Sequence, residues 1–489
     1  MKKIIALLLV LVMVLGLFAA CGGNNEEKPV EGGEEGGVVT LNWYTVGSGE
    51  APNHDSWTKQ VNDYLDSKNM GVHLNYQNIG WGDWGQRRSV IVQTGEDWDI
   101  ILCQGSELVN DVSMNALAPI EGLLDKVPGL TDLIPADYLE ACYIGEHLYG
   151  IPAYKDTSMT NYWIWHKDTI EACYPDWANI HDLAGAEAAL RACKEMFPEM
   201  DAMKLHNAGL WSLCAQEYDA AGVGDVGIGI KYDGGTEFVP VFEDMKATWE
   251  LMGKFYADGL INQDAPVATG TEGIYLVSMG QGWPAAAETA WKREGESVVV
   301  SQYLDTVVST ESVRGSVTAF NKNMSAEKLE LALKFIEFVN TDTYMRDLLW
   351  YGEEGVDWNY VEREDGKNGK AVVRVEGNTW TGAAYTQGTF FTATPTVLAD
   401  GTVDKMAEEI AVLNAQAIVS PAMGFSFNAD GWTDTIAALA AVKGKYTNMI
   451  QTGADPSQID VMMAEMRENG FDDLLAEVNK QYQEWLAAK

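Results

Sequence analysis

The sequence predicts an α/β fold built on mostly parallel sheet. Stretches with period-two hydrophobicity alternate with stretches of helical period, about 47% of the 489 residues are hydrophobic, and no fixed-period repeat interrupts the pattern. Val39, Leu41 and Trp43 alternate with Thr40, Asn42 and Tyr44, the spacing of a half-buried strand. Trp57, Val61, Tyr64 and Leu65 then share one helical face behind Asp55, which reads as the helix cap. Val72, Leu74 and Tyr76 alternate again, and Trp98 to Cys103, after Gly95-Glu96-Asp97, is a short buried strand. Further on, Ser325 caps a helix whose Leu329, Ala332, Leu333 and Ile336 share a face. Between about Tyr351 and Ala383 the chain is Gly-rich and charged, with the β-like run Ala371 to Val375, and reads as a hairpin insertion. Asp455-Pro456 opens a helix that Gly470 ends, and Leu475, Val478, Tyr482 and Trp485 line one side of the last one.

Residues 1–20 read as a signal peptide: basic Met1-Lys2-Lys3, the apolar run Ile4 to Phe18, then small residues. That run is shorter than the roughly 20 residues that span a bilayer. Leu17-Phe18-Ala19-Ala20-Cys21 resembles a bacterial lipobox, which implies lipidation of Cys21. Residues 21–37 are then the lipidated cysteine and a flexible Gly/Glu tether.

With 33 Lys+Arg against 72 Asp+Glu the net charge is −39, which excludes a nucleic-acid partner, because a phosphate backbone needs a basic footprint. The six cysteines form no CxxC and no Cys/His cluster with zinc spacing; there is no P-loop, GxSxG or HExxH, so no metal, cofactor or catalytic residue is expected. The 17 Trp, 20 Tyr and 13 Phe exceed what a core of this size requires, so some are expected to face a ligand.

Several segments converge on a family. Gly95-Glu96-Asp97-Trp98-Asp99-Ile100, Gly145-Glu146-His147-Leu148-Tyr149-Gly150-Ile151-Pro152, Tyr351-Gly352-Glu353-Glu354-Gly355-Val356-Asp357-Trp358, Gly424-Phe425-Ser426-Phe427-Asn428 and the ending through Gln481 and Trp485 resemble elements of bacterial ABC-transporter extracellular solute-binding lipoproteins, in the large branch of about 500 residues. The resemblance runs from about Val38 to Lys489. It implies a two-lobe, periplasmic-binding-protein-like α/β fold with a hinge and an interlobe ligand cleft. Lobe one would be 38–151 plus about 305–350; lobe two would be 152–304 plus about 351–489, including the C-terminal helices, with the second crossing near Val300 to Thr306. It also implies a monomeric, lipid-anchored receptor on the extracellular face of a Gram-positive membrane, handing a carbohydrate to ABC permease subunits.

Ligands of open sheets sit beyond the carboxyl ends of the strands. The loops there supply Tyr44, then Trp81, Asp83 and Trp84 in Gly80-Trp81-Gly82-Asp83-Trp84-Gly85, then Gln104, and at the hinge Tyr154 and Lys155. Trp283, in Gly280-Gln281-Gly282-Trp283-Pro284, and Trp380 and Tyr385 complete the candidate set. An aromatic face in a Gly-rich turn offers a platform to the C–H face of a sugar, whereas Trp163 and Trp165, two apart on one strand, read as core. A peptide or polyamine receptor on the same scaffold, a secreted glycan-active enzyme, and an adhesin or sensor that takes no part in transport are the competing readings.

Overall fold

Burial follows the sequence alternation: in the first strand Leu41 and Trp43 are buried, while Asn42 and Tyr44 keep part of their surface. The structure, a computed structural model, describes residues 37–210, 212–286, 291 and 296–489. The signal peptide, Cys21 and the tether before Gly37 lie outside the described residues. The strands of the two main sheets are β1 (Val39–Gly47), β2 (Val72–Gly80), β3 (Ile100–Cys103), β4 (Gly150–Pro152), β5 (Met159–His166), β6 (Asp201–Met203), β7 (Tyr275–Gln281), β8 (Val298–Val308), β9 (Val317–Phe320) and β10 (Ile418–Val419). The longer helices are α1 (His54–Ser67), α2 (Trp81–Thr94), α3 (Leu183–Met196), α4 (Lys246–Ala257), α5 (Ala326–Thr341), α6 (Thr343–Tyr351), α7 (Met406–Gln416), α8 (Thr433–Gln451), α9 (Gln458–Glu468) and α10 (Phe471–Ala488).

The first sheet has the order β2-β1-β3-β9-β4, with β1 parallel to β2 and β3 and with β9 antiparallel to β3 and β4. Its core lies under α1, α2, α5 and α6, where Trp43 meets Tyr76 and Phe335 edge-on at 5.6 and 5.8 Å. The second sheet has the order β10-β8-β5-β7-β6 and is less parallel than the sequence suggested. Its β5 runs antiparallel to both β7 and β8. The reason is the hinge: β5 starts where the chain enters the second lobe, and β8 ends where it leaves. Trp163 and Trp165 are fully buried in the second core with residues of α3, α4, α8, α9 and α10.

The lobe boundaries need two corrections. The apolar run at Val298 does not cross between lobes; it begins β8, which stays in the second sheet through Val308, so the second crossing is the following segment up to β9. Residues from Tyr351 to about Thr394 also do not belong to lobe two. The hairpin Trp358–Lys367 with Lys370–Arg374 packs Trp358 and Val372 into the first core, and Tyr351 and Trp380 join them. The chain returns to lobe two through α7 and β10, the latter pairing beside β8. Asp55 does not cap α1; it sits in the first turn, after Asn53. Ser325 does cap α5, accepting from Lys328 N at 3.2 Å.

The segment Ala384 to Thr389 belongs to no sheet, and buried side chains hold it: Asn340 Oδ1 accepts from Thr389 N at 2.8 Å, and Gln387 Nε2 donates to the Tyr76 hydroxyl at 2.6 Å. Arg346 on α6 is fully buried and donates Nε to Thr389 O at 2.7 Å, Nη2 to Ala384 O at 2.6 Å and Nη1 to Gln387 Oε1 at 3.4 Å. Burial pushes this guanidinium down to about 10, so it remains protonated at neutral pH. The five cysteines of the described residues are free, and burial raises their thiols, that of Cys142 to about 12.

Replacing Arg346 by Met leaves Thr389 O without its donor and Ala384 O with Gln387 N alone. Hydrogen bonds to a charged group contribute about 1.5–3 kcal/mol each, so Arg346→Met is expected to lower stability by about 3 kcal/mol or more. Denaturant unfolding followed by circular dichroism measures it.

Candidate functional site

The first and second crossings meet at one place. Lys155, Asp156 and Thr157 from one, and Ser309, Glu311 and Ser312 from the other, enclose a cavity of about 550 Å³ with Tyr218, Asp219, Tyr232 and Gln281 of lobe two. That volume is within the range of small-ligand sites. Both crossings are braced by their own hydrogen bonds. Asn414 of α7 donates Nδ2 to Lys155 O at 2.6 Å and accepts from Ser158 N and Oγ at 3.1 and 2.7 Å. Ser309 and Ser312 exchange backbone-to-hydroxyl bonds at 3.0 and 3.2 Å in a capping box. Arg314, buried just beyond, donates to Ala141 O at 2.6 Å, Ser426 Oγ at 2.8 Å and Tyr143 O at 3.3 Å, tying this crossing to both lobes.

The lobe-two wall contains Asp219, whose buried carboxylate accepts from Ser420 Oγ at 2.5 Å and Ala221 N at 2.8 Å. Burial raises its pKa above the ordinary aspartate value, and those two donors pull it partly back. Glu311 reaches into the cavity, where enclosure and the neighbouring Asp219 raise it while Arg314 opposes them. Ala221 is held at φ 45°, a left-handed conformation that a residue with a Cβ seldom adopts. Tyr218 donates its hydroxyl to Asp244.

Lobe one reaches this cavity through aromatic rings. Trp81 stacks on Tyr385 with centroids 6.0 Å apart and planes 16° apart, and Lys155 lies over the Tyr385 ring at 5.7 Å while pairing with Asp156 at 3.0 Å. Tyr385 belongs to the segment that Arg346 clamps. Three sequence-predicted residues, Trp81, Tyr385 and Lys155, are thus in one contact chain at the cavity lip, and Lys155 lines the cavity itself.

The other candidates lie elsewhere. The Gly80–Gly85 stretch is not a turn: Gly80 precedes α2, and Trp81 to Trp84 form its first turn. Trp81 is 47% exposed, whereas Trp84 is 5% exposed, packed in the first core with Nε1 unpartnered. Asp83 is exposed in that first turn, where a carboxylate complements the helix N-terminus. Tyr44 is inside β1, opposite Gln77 and Ile101, because the strand continues to Gly47. Gln104 donates Nε2 to Gly315 O at 3.2 Å and so supports the second crossing. Tyr154 packs edge-on to Tyr138 at 5.7 Å and against Phe391 at 4.5 Å. Trp380 is a plug: it packs on Trp57 at 4.7 Å and beside Gly352 (φ 95°), where an added Cβ would come within 2.9 Å of the Trp380 side chain. Trp283 is half-buried two residues past Gln281, in a loop held by Ala285 N donating to Glu409 at 2.7 Å. Asp219, Tyr218, Tyr232 and Glu311 escaped the sequence reading. The available signal was the left-handed Gly222, Gly224 and Gly227 cluster after Tyr218-Asp219.

The comparisons with known proteins bear on this arrangement. Residues 59–352 match the model of the bacterial extracellular solute-binding protein family, and residues 421–487 match a domain of unknown function (DUF3502). The chain belongs to the bacterial extracellular solute-binding proteins. It is 24% identical, over 98% of this chain and 97% of the other, to a carbohydrate ABC transporter substrate-binding protein of Streptococcus pneumoniae. Among solved structures it resembles the N-glycan transport solute-binding protein NgtS of the same species, with a TM-score of 0.77 and 23% identity over 92% of this chain and 99% of that one. Structures of that protein in complex with Man1GlcNAc and Man5GlcNAc, 22% and 23% identical over the same shares of both chains, match with TM-scores of 0.66 and 0.62. The two-lobe fold of this family member is therefore the one its solved relatives share.

The two tryptophans of α2 give a direct contrast. Trp84→Ala is expected to cost about 3–5 kcal/mol of stability, as for large-to-small changes in a core. Trp81→Ala should stay within about 0.5 kcal/mol of the parent, as for an exposed position. Parallel urea titrations of the two variants measure the difference.

Proposed function

We propose that this solute-binding protein is a lipid-anchored receptor that captures a neutral oligosaccharide in the hinge cavity and delivers it to an ABC permease. The observation that carries this reading is the cavity at the meeting of the two crossings, with the Trp81–Tyr385 stack reaching its lip through Lys155. Ring faces suit sugar C–H groups, and carboxylates accept from hydroxyls. The printed names of the relatives, a carbohydrate transporter protein and an N-glycan transport protein, favour the same ligand class. The lining disfavours an anionic sugar: Asp156, Asp219, Asp225 and Glu311 stand with one lysine, Lys155, which is already paired with Asp156.

Closure follows from where the cavity sits. A ligand between the crossings touches both lobes only when they approach, so it binds the closed form more tightly and shifts the population toward it. Cys21 would carry the lipid and the Gly/Glu stretch would lift the receptor off the membrane.

Titration calorimetry against neutral oligosaccharides, a sialylated counterpart, peptides and spermidine tests the reading. A neutral oligosaccharide is expected to bind, and its sialylated counterpart at least about tenfold more weakly, since like charges brought together in a cleft oppose binding. Tyr385→Ala should cost about 0.5–1.5 kcal/mol of affinity. Binding of peptides or spermidine with no sugar bound would replace the carbohydrate reading, and release of product from a glycan would overturn the receptor reading.

A further inference from the structure

Beside the hinge cavity lies a second one of about 790 Å³, and Tyr232 lines both. The contact between them is structural. Strand residue Lys231 pairs with Tyr218, and Tyr232 N donates to Glu217 O at 3.1 Å. Tyr218 faces the first cavity, Glu217 and Lys231 the second, so one short ladder at the hinge end of lobe two forms a common wall.

Two further observations set this second cavity apart from an ordinary surface dent. Its lining is rich in side chains that hydrogen-bond to hydroxyls, including His181, Glu217 and Gln302. Its wall also contains a distortion. β8 slips register between Tyr303 and Val307, and Leu304 within the slip is held at φ 51°. Among the described residues, the non-glycine residues with positive φ are three asparagines, which tolerate that region, plus Ala221 and Leu304. Ala221 adjoins the first cavity and Leu304 lines the second. Backbone strain of this kind gathers where a site has to be shaped, and bulges re-aim side chains beside sites.

We infer that the second cavity is a distal subsite: an oligosaccharide seated in the hinge cavity passes Tyr232 and places its further sugar units against Leu304 and Gln302, so the receptor selects for chain length. This rests on the carbohydrate reading of the hinge cavity. Each cavity alone is within the range for a small ligand, and a single sugar unit fills only part of either.

Calorimetry with Man5GlcNAc and Man1GlcNAc as probes separates the possibilities. The purified protein is expected to bind Man5GlcNAc at least about tenfold more tightly than Man1GlcNAc. Asp305 is exposed and lines the second cavity, and among the described residues no hydrogen bond holds its side chain, so Asp305→Trp fills that space. The Man5GlcNAc to Man1GlcNAc affinity ratio should then fall to about one. Asp233→Trp, from another part of the same wall, should act alike and guards against a folding defect in either variant. A ratio that stays at its parental value in both folded variants overturns the distal subsite, as does an equal loss for both sugars or a parental ratio near one. Binding of neither sugar by the parent protein, with other oligosaccharides also failing, takes down the carbohydrate reading and this inference with it.

Discussion

A guanidinium sealed from water must place its N–H groups on protein acceptors, and Arg346 does so on a segment that joins no sheet. Residues 384–389, of which Thr386, Gln387 and Thr389 are buried, pack on lobe one without joining a sheet. Their carbonyls converge on one planar fork, which can satisfy several acceptors at once where separate donors could not. Tyr385 lies within this clamp, and through it the stack with Trp81 and the contact with Lys155 are fixed. Arg314 repeats the device at the second crossing, joining Ala141, Tyr143 and Ser426. In a chain with 72 acidic residues, neither arginine makes an ion pair among the described residues. Both serve irregular backbone that the sheets leave unsatisfied.

This divides the molecule by rigidity. Floor and lip of the hinge cavity are each fastened to a lobe core: Asp219 through Ser420, Tyr385 through Arg346, and Lys155 through Asn414 of α7. What can alter is the relation between them, because it depends on crossings rather than on packed cores. Capture of a solute then needs no chemistry by the protein, only contacts that both lobes make together when closed. On the proposed reading, the surplus of carboxylates around the cavity would disfavour anionic solutes before any fine contact is made.

Part of this was legible in the sequence. β1, β2 and the helix Ala326–Thr341 were readable because each buries one face, so the period of the apolar residues is the period of the element. The start of α2 was not, because Gly80, Gly82 and Gly85 read as a turn; the spacing of Trp84, Arg88 and Ile91 carried the helix instead. The second crossing was misplaced because β8 continues through an irregular register, which hydrophobic pattern alone cannot follow. Trp380 and Tyr385 have the same local sequence character, yet Trp57 claims one and Lys155 the other. Those partners are far off in the chain, and spacing has no access to them. Asp219 and Glu311 were hidden by number, since one carboxylate among 72 carries no signal until the fold surrounds it.

The claim on which the rest turns is that the solute is held between the crossings. Hydrogen–deuterium exchange of the protein, with and without a saturating neutral oligosaccharide, tests it most directly. Slowed exchange is predicted in residues 153–158, 214–232 and 309–316, the segments that enclose the hinge cavity. Slowing confined to other parts of either lobe, with these three segments unchanged, would contradict the account.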